Sequence, residues 1–305
     1  MTISCRCPKC NGLCAFAEKN AGRRARCHKC GQIFIIPDRD GQKPQEVELP
    51  KAAAGKPIPG FYRAVFVDNW KVFFKRQSVT PLAFVVAVIS FRFFLVGSCL
   101  GFITILVSWG WLLGFYLNII HDTAFNIDEL PEIYLNDSII FIWSIIRPLL
   151  IFILTMFCVQ LPYVIASGIL KYHGIVYDDI WISQFGWITL LQILFILGLF
   201  FFPVAILTIA VGEDPTLLRP DYLVRPIFKS FAPYMVVVCL LVIATFFDSQ
   251  TVYVDQLQGA GRPVIAGHLA ANLGSQAITI VAMRTIGLFM RHYSCYFPWQ
   301  EQRDN

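Results

Sequence analysis

Four of the ten cysteines, Cys7, Cys10, Cys27 and Cys30, form two C-x2-C pairs separated by sixteen residues. Two residues between thiols let a tight turn aim both sulfurs at one ion, and this separation lies in the window of a four-Cys zinc site. Asn11-Gly12 after the first pair and Gly31 after the second supply the permissive backbone that such a knuckle needs. Four thiolates close a tetrahedral shell, so the expected Zn2+ is structural, with no open position for catalysis. A redox pair asks instead for one C-x2-C opening a helix in a larger α/β unit, and no such surroundings are present. Cys5 and Cys14 offer an alternative, since either can replace Cys7 or Cys10 at the loss of symmetric knuckles. His28 lies inside the second knuckle and is expected to face solvent. The remaining four, Cys99, Cys158, Cys239 and Cys295, stand singly in apolar sequence and read as packing residues.

Arg92 is the other residue whose type demands an explanation. It is the one charge in the 39 residues from Leu82 to Ile120, where it either contacts an anion, lipid phosphate or backbone carbonyls, or snorkels to the headgroups. The long apolar runs contain no Asp or Glu, which argues against the carboxylate relays of ion-coupled transporters. There is no H-E-x-x-H, no G-x-S-x-G and no Walker glycine loop. His268 reads as a hydrogen-bonded packing residue. His268, Asn272 and Arg284, at helical spacings of four and twelve, share a face, and together in an open cleft they would support membrane-embedded catalysis.

The elements that must carry these residues follow from composition. With 305 residues, 56% hydrophobic and only 15% charged, the chain is too apolar for a soluble domain of its size and reads as an all-α polytopic membrane protein. As one helix, Leu82 to Ile120 would be about 58 Å long, twice the hydrocarbon thickness of roughly 30 Å, so it divides near Gly97 to Gly101 into spans at 82–98 and 102–120. Further runs at 148–170, 187–211, 231–247 and 264–283 bring the expected number to six. No apolar signal segment opens the chain. With the N-terminus inside, six spans put Arg147, Arg219, Arg225, Lys229, Arg284, Arg291 and Arg303 on the cytoplasmic side against Lys171 and Arg262 outside. Five spans would invert this bias, so the expectation is a multi-pass inner-membrane protein with both termini cytoplasmic. Gly267, Ala270, Ala271, Gly274 and Ser275 suit close packing of the sixth span.

Ahead of the membrane domain, 81–292, three segments are expected: a small β zinc ribbon at 1–37, a disordered linker at 38–60 and an amphipathic interfacial helix at 61–80, with a tail at 293–305 closing the chain. In the ribbon, Ala15 to Ala17 and Gln32 to Ile36 read as strands, with a turn from Asn20 to Arg24. So short a segment cannot bury enough surface to fold unaided, and metal binding supplies its folding energy. Five prolines between Pro37 and Pro59 suit an extended tether. Beyond it, Phe61, Tyr62, Phe66, Trp70, Phe73 and Phe74 alternate with Arg63, Lys71, Lys75 and Arg76, as a helix lying on the headgroups requires. Of the 25 Lys and Arg, 15 precede Pro81 with only 6 of the 20 acids, leaving +9 there and −4 beyond. So basic a head attracts anionic lipid, nucleic acid or an acidic partner, and nucleic acid is the weaker expectation because Phe16 and Phe34 are needed for the small core rather than for stacking. Leu130-Pro131-Glu132, an amphipathic stretch and Arg147-Pro148 are echoed by Glu213-Asp214-Pro215, Arg219-Pro220, an amphipathic stretch and Ala232-Pro233, a pattern shared by duplicated helix hairpins and by chance alike.

Cys7-Pro-Lys-Cys10, followed by Ala21-Gly-Arg-Arg-Ala-Arg-Cys27-His-Lys-Cys30-Gly31 and an apolar strand ending in Pro37, resembles the zinc-ribbon finger at the N-terminus of many bacterial proteins. That resemblance implies Cys7, Cys10, Cys27 and Cys30 as ligands and no particular activity; Cys5 and Cys14 are departures from its pattern. Gly114-Phe-Tyr116, Asp128-Glu-Leu-Pro131-Glu132, Leu161-Pro162, Phe202-Pro203 and Gly287-Leu-Phe-Met-Arg291 resemble, more faintly, an uncharacterised family of multi-pass bacterial membrane proteins. It implies an integral membrane protein often joined to a zinc ribbon, with no assigned catalytic residues. The function expected from all this is a non-enzymatic membrane anchor or scaffold recruiting a cytosolic protein. A permease or lipid-handling protein using Arg92 is the alternative, and a membrane-embedded enzyme comes third. A polar cavity reaching Arg92 would favour the second reading, a tightly packed bundle the first.

Overall fold

The structure, a computed structural model, describes residues 2–7, 13–17, 24–26, 33–37, 45–46, 57–95, 101–131, 138–172, 185–212, 220–257 and 259–297. It divides into two units, Met1–Lys51 and Ala52–Asn305. In the first, β1 (Thr2–Arg6) pairs antiparallel with β2 (Leu13–Ala17), and β3 (Arg24–Arg26), β4 (Ile33–Ile35) and β5 (Gln45–Glu46) form an antiparallel sheet in that order. β2 and β4 fall on the two expected strands. β5 lies in the stretch expected to be wholly linker, where it adds an edge to β4 through Phe34 opposite Glu46 and Ile35 opposite Gln45. Phe34 and Ile36 are buried.

The second unit begins with an irregular coil rather than the single regular helix expected over 61–80. α1 (Phe61–Arg63) widens into a π-helical stretch, Ala64–Asp68, and then tightens into 3-10 turns at Asn69–Phe74 and Arg76–Ser78. The residue pattern explains this. Phe61, Val65, Asn69 and Val72 are buried, while Tyr62, Phe66, Trp70 and Phe74 are exposed. Buried positions repeating every four residues, as at 61, 65 and 69, would drift around a 3.6-residue helix, and a wider turn keeps them on one side.

Among the described residues, six helices then have the length and apolar character to cross a bilayer, so the chain has the build of a multi-pass membrane protein. They are α2 (Val79–Leu95), α3 (Gly101–Ala124), α4 (Ser138–Tyr172), α5 (Phe185–Gly212), α7 (Phe231–Ser249) and α8 (Arg262–Tyr293), with the short α6 (Pro220–Lys229) between α5 and α7. The two runs set side by side as a repeat differ in build: α4 continues through Pro148 as one helix, whereas α6 and α7 part at Ser230. There Ser230 Oγ donates to the Pro226 carbonyl at 2.6 Å, giving it a side-chain partner where the helix breaks.

α8 is the axis of the bundle, packed on α3 and α7, and 72% of its apolar window is buried against 11% for α4. Of the small residues expected to seat it, Ser275 is buried, but the others do not pack: Gly267 and Gly274 meet nothing within 4 Å, and Ala270 and Ala271 are exposed. The close approach lies lower, at Gly287, where a Cβ would stand 2.6 Å from the Ile120 carbonyl oxygen of α3. Gly110 performs the same service between α3 and α4, its Cβ position lying 2.6 Å from the Ile145 carbonyl oxygen. Backbones this near leave no room for any side chain.

Candidate functional site

Of the four expected zinc ligands, Cys7 is described and buried; Cys10, Cys27 and Cys30 lie outside the described residues. Cys5 is buried too, two residues before Cys7 and directly opposite Cys14 across the β1–β2 pair. Residues two apart on extended backbone share a face, so a further thiol stands on the side that carries Cys7. Among the described residues, no group of three His, Cys, Asp or Glu is placed to hold a metal ion.

The site that the structure does assemble is built around Arg92. On α2, Val85, Ile89, Arg92 and Phe93 are buried while Phe91 and Phe94 are half exposed, so Arg92 occupies the inward stripe of its helix. It does not snorkel: only 1% of the side chain is exposed. Trp109 of α3 lies 4.8 Å from the guanidinium carbon and Tyr253, on the connection from α7 to α8, lies 5.4 Å from it. Both rings are within the range of a cation–π contact. Asp248, in the last turn of α7, brings Oδ1 to 3.8 Å from Nη2, an ion pair too long to be a hydrogen bond. Gln276 of α8 donates to the same Oδ1 at 3.1 Å and accepts from the Tyr116 hydroxyl of α3. Four helices and one connection thus converge on a single charge.

The connection is itself tied down. Asn272 Nδ2 donates to the Val252 carbonyl at 3.1 Å and to His268 O at 2.9 Å, and Thr251 Oγ1 donates to Asp248 O at 2.7 Å. Burial pushes the Tyr253 hydroxyl above its ordinary pKa, opposed in part by Arg92. What the assembly lacks is an acceptor. Nε, Nη1 and Nη2 of Arg92 are all buried without a hydrogen-bond partner among the described residues. A guanidinium presents its donors at the edge of its plane, and here those edges are unfilled. Beside the site, on the α2–α3 seam, runs an apolar groove of about 260 Å³ lined by residues that include Phe84, Val88, Phe91 and Trp111; Arg92 is not in its lining.

A second polar cluster lies toward the other end of α8. Asn69 Nδ2 donates to the Val281 carbonyl at 3.0 Å and to Thr285 Oγ1 at 3.1 Å, while its Oδ1 accepts from Arg284 Nε at 2.8 Å. Outside it, Arg291 Nη1 pairs with Asp128 at 2.9 Å, and Lys75 donates to the Asp128 carbonyl. The chain arriving from residue 57 is clamped here: Ile58 N donates to His292 O at 2.8 Å, and His292 Nδ1 donates to Ile58 O at 2.9 Å. The Phe61 ring meets Phe289, His292 and Tyr293 edge-on. His268, Asn272 and Arg284 are not brought together. Of His268, Asn272 meets only the backbone carbonyl, and Arg284, sixteen residues of helix or about 24 Å from His268, bonds to Asn69 instead.

Two carboxylates escaped the sequence reading because the helices outrun the apolar stretches. Asp248 follows the last residue of the run 231–247, and Asp122, buried beside His121 at 3.3 Å, lies two beyond the run 102–120. Fold and site together define a multi-pass helical membrane protein, with six candidate spans among the described residues and an internal Arg–Asp–aromatic cluster. No protein-family model, curated protein or solved structure matches the chain.

Proposed function

We propose that this chain is an inner-membrane anchor with both termini cytoplasmic, which displays a structural zinc ribbon on its linker and through it recruits a cytosolic protein. The observation that carries this reading is the clamp of Ile58 and Phe61 onto the end of α8. Polar and backbone contacts at Asn69, Arg284 and Gly287 close the same region, so the linker leaves from a fixed point on a packed bundle. A rigid mount and a tether suit display, because tethering raises the local concentration of the ribbon at the membrane surface. Cys7, Cys10, Cys27 and Cys30 would hold the Zn2+, with Cys5 and Cys14 as the alternative thiols, and the basic face would meet an acidic partner sooner than nucleic acid. Lipid handling is a second reading, favoured by the Arg92 guanidinium, which has no hydrogen-bond acceptor among the described residues. Catalysis has less support, since His268, Asn272 and Arg284 stand apart.

Metal analysis of the full chain purified in detergent tests the first reading, alongside in-cell crosslinking of the wild type and a Cys27→Ser/Cys30→Ser variant. One zinc per chain and crosslinks to a defined cytosolic protein are expected, both lost in the variant while the helical bundle keeps its melting temperature. No metal in a fresh, reduced preparation, or crosslinks indifferent to the variant, would overturn it.

A further inference from the structure

We propose that Arg92 and Asp248 form a binding site for a zwitterionic headgroup, a phosphodiester monoanion joined to a protonated amine. This goes beyond the anchoring role and is independent of it.

The chemistry follows from what each group has and lacks. Three guanidinium nitrogens are buried without an acceptor among the described residues; of the two rings beside the guanidinium, only Tyr253 carries an oxygen, and its hydroxyl makes no hydrogen bond to them. An oxyanion in the plane of the guanidinium meets it with two parallel hydrogen bonds. Asp248 restricts which oxyanion is welcome. Its carboxylate is 3.8 Å from Nη2 and 28% exposed, so a dianion would be repelled, whereas a monoanion carrying its own positive charge satisfies both partners. The ammonium would lie against Asp248 and the face of Tyr253, which attract a cation together.

Placement points the same way. Arg92 is in the last turn of α2 and Asp248 in the last turn of α7, at the level where apolar helices give way to headgroups. The groove on α2 and α3 includes Phe91 and Ser108, each the sequence neighbour of a site residue, and offers apolar surface to an acyl chain. Arg92 is sealed, so entry requires Tyr253 to move. That residue is half-buried on a connection of irregular backbone and a 3-10 turn, held to α8 by Asn272. Both a membrane lipid and a soluble aminoalkyl phosphodiester carry the recognised chemistry.

Native mass spectrometry of the full chain in detergent separates the sources. The probes are phosphatidylethanolamine, phosphatidylglycerol, which lacks the amine, and glycerophosphoethanolamine, which lacks the chains. Retention of phosphatidylethanolamine about tenfold above phosphatidylglycerol is expected in the wild type, with Asp248→Asn bringing the two within about twofold. Arg92→Gln is expected to abolish both adducts. Arg92→Lys keeps the charge and loses the fork, and is expected to weaken retention by about tenfold while the bundle stays folded. Binding of glycerophosphoethanolamine as tight as that of the lipid would identify a soluble ligand; its failure to bind would identify the lipid. Phosphatidylethanolamine retention unchanged in Arg92→Lys, or a preference for it that survives Asp248→Asn, would overturn the proposal and leave a structural ion pair only.

Discussion

Replacing Gly287 with alanine adds one methyl group where the backbones of α3 and α8 come close. That methyl would stand 2.6 Å from the Ile120 carbonyl oxygen, 2.7 Å from Thr123 Cβ and 3.2 Å from the Ala124 nitrogen. Two of these obstructions are backbone, which cannot swing aside as the end of a side chain can. Restoring ordinary contact at about 3.4 Å requires α3 and α8 to part by roughly 0.8 Å, and such overpacking costs typically about 1–3 kcal/mol. We expect the upper end, about 3 kcal/mol, because parting the axis of the bundle also loosens dispersion contacts along both helices. Gly274 on the same helix is the control. A Cβ there meets nothing within 4 Å, so Gly274→Ala gains helix propensity, up to about 1 kcal/mol, with nothing to set against it. Reversible unfolding of both variants in mixed micelles, followed by circular dichroism, reads the difference. A Gly287→Ala protein as stable as Gly274→Ala would refute backbone contact between α3 and α8 as the device that seats the axis.

Asn69→Ala removes the acceptor of Arg284 Nε and two donors to α8, and is expected to cost about 3 kcal/mol in the same unfolding assay, since the guanidinium stays buried. By contrast, Asp128→Asn breaks a pair whose partners are 25% and 50% exposed, so a loss below about 1 kcal/mol, shrinking further as salt is added, is expected from melts at two ionic strengths. Gly198→Ala meets only the far end of Gln160, at 2.7 Å, and its cost, read by unfolding, is expected to stay below about 1.5 kcal/mol, the worth of the Gln160 hydrogen bond to Phe195 O.

The spans were legible because membrane thickness makes run length decisive: 39 residues with a single charge cannot form one helix across a bilayer, and the described helices are two, α2 ending at Leu95 and α3 beginning at Gly101. Helix ends were not, because a helix continues past its apolar stretch wherever packing supplies partners. α8 was expected to stop at Met283 and runs to Tyr293, since Arg284 finds Asn69 and Gly287 finds α3. The same overrun hid Asp248 and therefore the Arg92 site. Arg92 itself stood out as a lone charge, yet its surroundings come from α3, α7 and the connection to α8, and no local pattern announces a partner as distant in sequence as Asp248. Over 61–78 the amphipathic alternation was visible, but the π-helical widening was not, because it depends on a partner surface to pack against.

The two buried arginines allow a separation of scaffold from site. Arg284 has a neutral acceptor at 2.8 Å from Nε, with one nitrogen, Nη1, left over. Arg92 has all three nitrogens without an acceptor among the described residues and a carboxylate held beyond hydrogen-bonding distance. Removing a charge from water is costly, and an imperfect pair does not recover that cost. If Arg92 serves a ligand at the expense of the bundle, exchanging the pair for neutral groups of similar size relieves the fold. In an Arg92→Met/Asp248→Asn double variant, the amide introduced on α7 still offers Gln276 an acceptor, and stability is expected to hold or rise by about 1–3 kcal/mol while headgroup retention is lost. Arg284→Met, which leaves the Asn69 oxygen buried and unpaired, is expected to lose about 1–3 kcal/mol. Should the double variant instead unfold more readily than the wild type by over about 1 kcal/mol, the Arg92–Asp248 pair would belong with Arg284 among the contacts that hold the helices together.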